Sequence, residues 1–124
     1  MKPSEYIALG VRLRPLQAFR ASISGDAGCA LTAFLDGIAG ARVGYVPQAV
    51  SRDRILTAVP ELRGGGLLAC PAGCRSYENV VFGCVIHLND AHRWARERIG
   101  ERLDTQVESE LEIWQEELRE MVTA

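Results

Sequence analysis

A set of cysteines and histidines at defined spacing in the second half of the chain limits the folds that it can adopt. Cys70 and Cys74 are separated by three residues, twelve residues follow Cys74, and four residues separate His87 from His92. Both histidines of the chain and three of its four cysteines therefore lie within 23 residues. Thiolates and imidazoles are preferred ligands of Zn²⁺, and four of them form a closed tetrahedral site without bound water. The spacing predicts a structural zinc site.

The intervals between these residues also fit such a site. Two thiolates on a tight turn that contains Pro71 and Gly73 can bind one metal ion from the same side. Twelve residues are enough for the chain to reverse and enter a helix. Two imidazoles about one helical turn apart lie on one helical face. We therefore expect zinc to tie the turn at 67–74 to a helix that ends at His92.

Cys84 leaves the ligand set open, because it precedes His87 by three residues and can share its face. We expect Cys84 in the hydrophobic core, and it is the substitute ligand if one of the four does not bind. The same spacing is also compatible with buried thiols without a metal and with a catalytic Cys–His pair. For such a pair, Asn89 or Asp90 would be a poor orienting group, because neighbours on a helix point to different faces. We expect no enzyme activity.

Composition and hydropathy predict a small, mainly α domain of four to six helices with a central zinc knuckle and a long C-terminal helix. The chain has 124 residues, of which 48% are hydrophobic and 24% charged, as in ordinary globular domains. We divide this single domain, 1–124, into a helical part at 1–66, a zinc-binding part at 67–94 and an acidic amphipathic helix at 95–124. Residues 27–39 are expected to form a buried helix. Without an apolar stretch of about 20 residues or a secretory signal, we expect a cytoplasmic protein.

The C-terminal segment is both acidic and amphipathic. Residues 104–124 contain seven acidic residues and one basic residue, whereas residues 1–103 contain nine acidic and thirteen basic residues. A capping-box pattern over Thr105–Glu108 leaves open whether this segment is one helix or two with a break near Asp104. Its apolar residues recur every three or four positions, so the stripe either packs on its own domain or mediates self-association. The residues of this stripe are Val107, Leu111, Trp114, Leu118 and Met121.

The segment from Cys70 to about Trp94 resembles a two-Cys/two-His zinc finger. The run from His87 to His92 and the helix start after it are similar to the bacterial Ros/MucR type of finger, although the Cys-to-His interval of that family is shorter. The resemblance implies DNA binding through basic residues around the finger. Two short runs, Cys29-Ala30-Leu31 and His87–Trp94, also resemble small uncharacterised bacterial and phage proteins, which implies no function. The candidate DNA-binding residues are Arg75, Arg93, Arg96, Arg98 and Arg102.

Taken together, these patterns predict a non-enzymatic zinc-binding protein. We expect it to act as a protein-interaction or accessory module that self-associates through its C-terminal helix. The second hypothesis is a small Ros-like regulator that binds DNA. Against this second hypothesis, Glu97 and Glu101 lie between the arginines, and the following turns are acidic. We expect neither a membrane nor a small-molecule substrate as a partner.

Overall fold

A computed structural model describes residues 1–20, 23–63, 70–74 and 81–123, and over these ranges the chain is mainly helical. The five α-helices that it describes agree with the predicted four to six and include the long C-terminal helix. The elements in chain order are α1 (Pro3–Leu13), β1 (Leu16–Gln17), β2 (Ile23–Ser24), β3 (Ala27–Gly28), α2 (Ala30–Ala39), α3 (Gln48–Ala58), a short 3₁₀ helix (Pro60–Arg63), α4 (Val81–Asp90) and α5 (Arg96–Thr123).

Helix α2 lies at the centre of the core. Eight of its ten residues, Ala30–Gly37, are buried, and Phe34 is completely enclosed. The prediction of a buried helix in this segment is confirmed, although the helix begins at Ala30. Residues 27 and 28 instead form β3, which pairs parallel to β1 and antiparallel to β2. Helices α1, α4 and the first part of α5 pack around α2 together with α3 and the 3₁₀ helix. The core residues from these five elements include Ile7, Ile55, Leu62, Val85, Leu88, Ile99 and Leu103.

Helices α1 and α2 approach each other closely because each has a glycine where the backbone of the other passes. A Cβ atom at Gly10 would overlap the backbone carbonyl of Ala33, and a Cβ atom at Gly37 would overlap that of Tyr6. The Tyr6 ring stacks on Phe34 with 6.1 Å between ring centroids. These two glycines therefore determine how deeply α1 packs against the centre of the core.

Helix α5 is a single helix, so the break considered near Asp104 is absent. It continues through Asp104, whose carboxylate accepts hydrogen bonds from the backbone N–H of Ser4, at 3.0 Å, and from the Ser4 hydroxyl. Its 28 residues span about 42 Å at 1.5 Å per residue. Within the described ranges, no helix combines the length and the apolar content that a membrane span requires.

Candidate metal centre

Two elements supply the four predicted metal ligands. Cys70 and Cys74 lie at the two ends of a turn in which the N–H of Gly73 donates to the carbonyl of Cys70 at 3.0 Å. Gly73 adopts a φ of 82°, a left-handed conformation that glycine tolerates best. His87 lies in α4 and His92 lies two residues beyond its end. The first three residues of the expected turn at 67–74 lie outside the described residues.

The expectation that the helix ends at His92 is wrong, because α4 ends at Asp90. Residues five positions apart on a continuous helix point in directions about 140° apart, so an unbroken helix would separate the two imidazoles. Here the chain turns back after Asp90, with Arg93 at a φ of 52° and the N–H of Trp94 donating to the carbonyl of Leu88 at 3.0 Å. This reversal brings the ring of His92 against the ring of His87 in an edge-to-face arrangement, with 4.7 Å between the ring centroids.

The four side chains converge on one point. The Nε2 atom of His92 lies 3.3 Å from the Sγ of Cys70, 3.5 Å from the Sγ of Cys74 and 3.0 Å from the Nε2 of His87. All four ligand atoms lie within 4.8 Å of one another. Tetrahedral Zn²⁺ with ordinary bond lengths gives nitrogen–nitrogen edges of about 3.3 Å and nitrogen–sulfur edges of about 3.6 Å. The spacing of the donors is compatible with a single ion.

Hydrogen bonds alone do not account for this arrangement. The Nε2 of a histidine carries one proton or none, so His92 cannot donate to all three of its neighbours. A cation at the centre would accept a lone pair from each of the four atoms instead. Thiolate and imidazole together favour zinc over the hard cations Mg²⁺ and Ca²⁺, which take oxygen ligands. The residues present therefore fit a zinc ion.

The surroundings adjust the proton affinities of these ligands. Burial favours a higher pKa for Cys70, but the backbone N–H groups of Ala72, Cys74 and Gly73, together with the Cys74 thiol, lower its pKa overall. The hydrogen bond to Cys70, together with burial, raises the pKa of Cys74. Burial, followed by the charge of His92, lowers the pKa of His87. The shifts at Cys70 and His87 are in the direction that metal binding requires, toward thiolate and neutral imidazole, whereas the shift at Cys74 is in the opposite direction.

Cys84 is a core residue and does not belong to the cluster. Its side chain is 1% exposed and belongs, with Val85 and Leu88 of the same helix, to the hydrophobic core of the domain. Burial raises the pKa of Cys84 to about 11. The described group of potential ligands comprises Cys70, Cys74, His87 and His92. The expectation that Cys84 lies in the core is confirmed.

Asn89 holds the end of α4 in place, a task that sequence reasoning missed. Its Oδ1 accepts hydrogen bonds from the N–H of Ala30 at 3.0 Å and from Gln17 at 2.9 Å, and its Nδ2 donates to the carbonyl of Ala18 at 2.9 Å. The amide of Gln17 also donates to the carbonyl of Trp94 at 2.7 Å. Asn89 therefore fixes the segment between the two histidines against the start of α2. The sequence feature that could have identified Asn89 is its position as a polar residue on the apolar side of α4.

The candidate DNA-binding arginines have different surroundings. Arg96 is 3% exposed and donates to the backbone carbonyls of Arg14 and Pro15, both at 2.7 Å, so its guanidinium is engaged within the fold. The guanidinium of Arg98 lies 3.7 Å from the ring centroid of Trp94, and that of Arg93 lies 5.1 Å from the ring centroid of Phe19. Of the remaining two, Arg102 is half-buried and Arg75 lies outside the described residues.

The predicted self-association stripe is divided between core and solvent. Val107 packs against the hydrophobic core. The other four residues are exposed, from 37% for Trp114 to 75% for Met121. The members of the stripe that remain accessible to a partner are Leu111, Trp114, Leu118 and Met121.

No protein-family model matches this chain, and neither the curated proteins nor the solved structures yield a match. The resemblance to Ros/MucR fingers therefore rests on its residues alone. The structure supports a metal site without identifying a family. Two cysteines and two histidines come together in an arrangement compatible with a zinc site.

Proposed function

We propose that this chain is a non-enzymatic zinc-binding protein that acts as a protein-interaction module. The convergence of four protein ligand atoms within 4.8 Å carries the proposal. Zn²⁺ bound there would join the turn at 70–74 to the end of α4, two segments that are separated by twelve residues between Cys74 and His87. The Asn89 hydrogen bonds would extend this connection to α2. The proposed role of the metal is to hold this part of the domain together.

The energetic effect of such a site is large for a chain of this size. Structural zinc in finger peptides contributes on the order of 10 kcal/mol. A small domain has about 5–15 kcal/mol of total stability. Metal removal is therefore expected to unfold at least the segment that contains the ligands.

The non-enzymatic role is supported by the ligand set. Catalytic zinc keeps a coordination position for water or substrate, whereas a set of four protein ligands completes the tetrahedron. The interaction role is supported by α5, whose last thirteen described residues, 111–123, are all exposed and include large apolar side chains. We refer to Leu111–Thr123 as the distal segment of α5.

The test is the zinc content of untagged protein, followed by thermal unfolding with and without a chelator. We expect about one zinc ion per chain and a large decrease in melting temperature on chelation. Co²⁺ in place of zinc should give the near-ultraviolet absorption of a cobalt–thiolate bond. The substitution Cys74→Ala should reduce this absorption by at least about half, because it removes one of the two thiolates, whereas Cys84→Ala, the matched control, should retain it. A protein without metal, or with a melting temperature insensitive to chelation, would contradict the proposal.

A further inference from the structure

We infer that the distal segment of α5 binds a basic amphipathic helix of another protein, and not a second copy of itself. The inference rests on the proposed interaction role and specifies its partner.

The distal segment exposes a continuous apolar surface. Positions 111, 114, 118 and 121 follow steps of three and four, so they lie on one face of the helix. This face continues the one that packs in the core at Leu103, which is fully buried. A single exposed leucine is common on a protein surface, but a stripe of large apolar side chains indicates an interaction site. The exposed members of this face are Leu111, Trp114, Leu118, Met121 and Val122.

Negative charge borders the stripe. Residues 107–123 contain six glutamates and one arginine, a net charge of −5. Glu110 lies one turn before Trp114, and its carboxylate accepts a hydrogen bond from the indole Nε1 at 2.8 Å. Glu117 borders the same edge of the stripe one heptad later, at a position that faces the partner in a helix pair. The single arginine, Arg119, pairs with Glu116 at 3.3 Å and lies away from the stripe.

A second copy of this segment is a poor partner for electrostatic reasons. In an antiparallel pair, Glu110 and Glu117 of one helix would face the same glutamates of the other. In a parallel pair they would face Gln115 and Val122, which cannot form an ion pair with them. Two helices that each carry a net charge of −5 over residues 107–123 would therefore meet without a compensating contact. A partner helix with a similar apolar stripe bordered by lysine or arginine provides both hydrophobic burial and opposite charge.

The inference is tested with the full chain and three fluorescently labelled synthetic peptides in an anisotropy titration. The first peptide has the sequence of residues 104–123 with all six glutamates replaced by lysine. The second has the unaltered sequence 104–123. The third is the lysine peptide with alanine at positions 111, 114 and 118. We expect the first peptide to bind at least tenfold more tightly than either of the others, and more weakly as salt increases.

Paired variants of the protein test the two contributions. The double substitution Trp114→Ala/Leu118→Ala should weaken binding of the lysine peptide about tenfold, without lowering the melting temperature, because both side chains are exposed. Glu110→Gln/Glu117→Gln should weaken it severalfold. The matched control Glu112→Gln/Glu116→Gln removes the same charge from the opposite face and should change the affinity less than twofold.

Three results would overturn the inference. Equal binding of the unaltered peptide would identify a second copy as the partner. Binding of the lysine peptide that is insensitive to Trp114→Ala/Leu118→Ala would show charge attraction without a docking surface. Absence of binding by the lysine peptide would exclude a basic helix. The zinc content of the same preparations separates this outcome from failure of the metal proposal, because the distal segment contains none of the four ligands.

Discussion

The two ends of helix α5 carry the same apolar periodicity but have different surroundings. In the proximal segment, Arg96–Gln106, Ile99 and Leu103 are completely buried. In the distal segment, Leu118 is 59% exposed and Val122 is 85% exposed. The comparison shows that an amphipathic stripe identifies the face of a helix that needs a partner, but does not identify that partner. For the proximal segment the partner is α1 and the core, whereas the distal segment extends beyond them.

Polar contacts follow the same division. In the proximal segment, the guanidinium of Arg96 binds backbone carbonyls and the carboxylate of Asp104 binds the start of α1. In the distal segment, the ion pair of Arg119 with Glu116 is exposed and joins residues of the same helix. Exposed pairs of this kind contribute little to stability. The proximal segment is thus part of the fold, and the distal segment is a surface element.

The largest expected difference is between matched leucines of the two segments. Leu103→Ala should decrease the free energy of unfolding by about 4 kcal/mol, because it leaves a cavity in the core. Leu118→Ala should change it by less than about 0.5 kcal/mol, because the side chain is exposed and alanine favours the helix. Urea denaturation of both variants provides the measurement. Comparable losses would mean that the distal stripe is covered within the folded protein.

The two arginines offer a second comparison. Arg96→Ala should cost about 3 kcal/mol, because it removes the buried hydrogen bonds to the carbonyls of Arg14 and Gly28 and the part-buried bond to that of Pro15. Arg119→Ala removes an exposed pair and should cost about 0.3 kcal/mol. The same denaturation experiment measures both values. A small effect at Arg96 would restore this residue as a candidate nucleic-acid contact.

A third comparison uses two glycines outside α5, one in a close helix contact and one in open space. Gly37→Ala should destabilise the protein by about 2–3 kcal/mol, because the new methyl group overlaps the carbonyl of Tyr6 and forces α1 away from α2. No atom lies within 4 Å of a Cβ placed at Gly44, so Gly44→Ala should be neutral or slightly stabilising. Thermal unfolding of the two variants tests the close approach of the helices. Equal melting temperatures would contradict it.

The smallest expected effect is a pH dependence of stability that arises from Cys84 in the hydrophobic core. Cys84 has a pKa of about 11 in the folded protein and an ordinary value of 9.0, so the unfolded chain loses the thiol proton first. This contribution to stability is therefore fully present below about pH 9 and is lost as the pH rises toward 11, with a loss of about 2 kcal/mol by about pH 10.5. The difference in slope between wild type and Cys84→Ala, measured by denaturation from pH 8 to 10.5, isolates this residue. Parallel slopes would show that Cys84 is accessible to solvent.

Sequence spacing alone identified the four candidate ligands, and the structure brings all four together. Their chemistry made this prediction feasible, because cysteine and histidine are rare in this chain and a tetrahedral site restricts the intervals between them. The predicted geometry of the histidines was wrong, since the spacing of five residues does not fit one face of a helix. The reversal after Asp90 depends on Asn89 and on contacts with residues 17, 18 and 30, which lie about 60 to 70 positions earlier in the chain.

Local sequence is sufficient to predict the helical class, the buried α2, the candidate ligands and the acidic, amphipathic character of α5. These properties depend on local periodicity and on residue chemistry, which are readable one segment at a time. Tertiary structure alone decided that Arg96 is buried, that the chain reverses between the two histidines and that the stripe of α5 passes from core to solvent between Val107 and Leu111. Burial depends on which segments pack together, and no single segment contains that information.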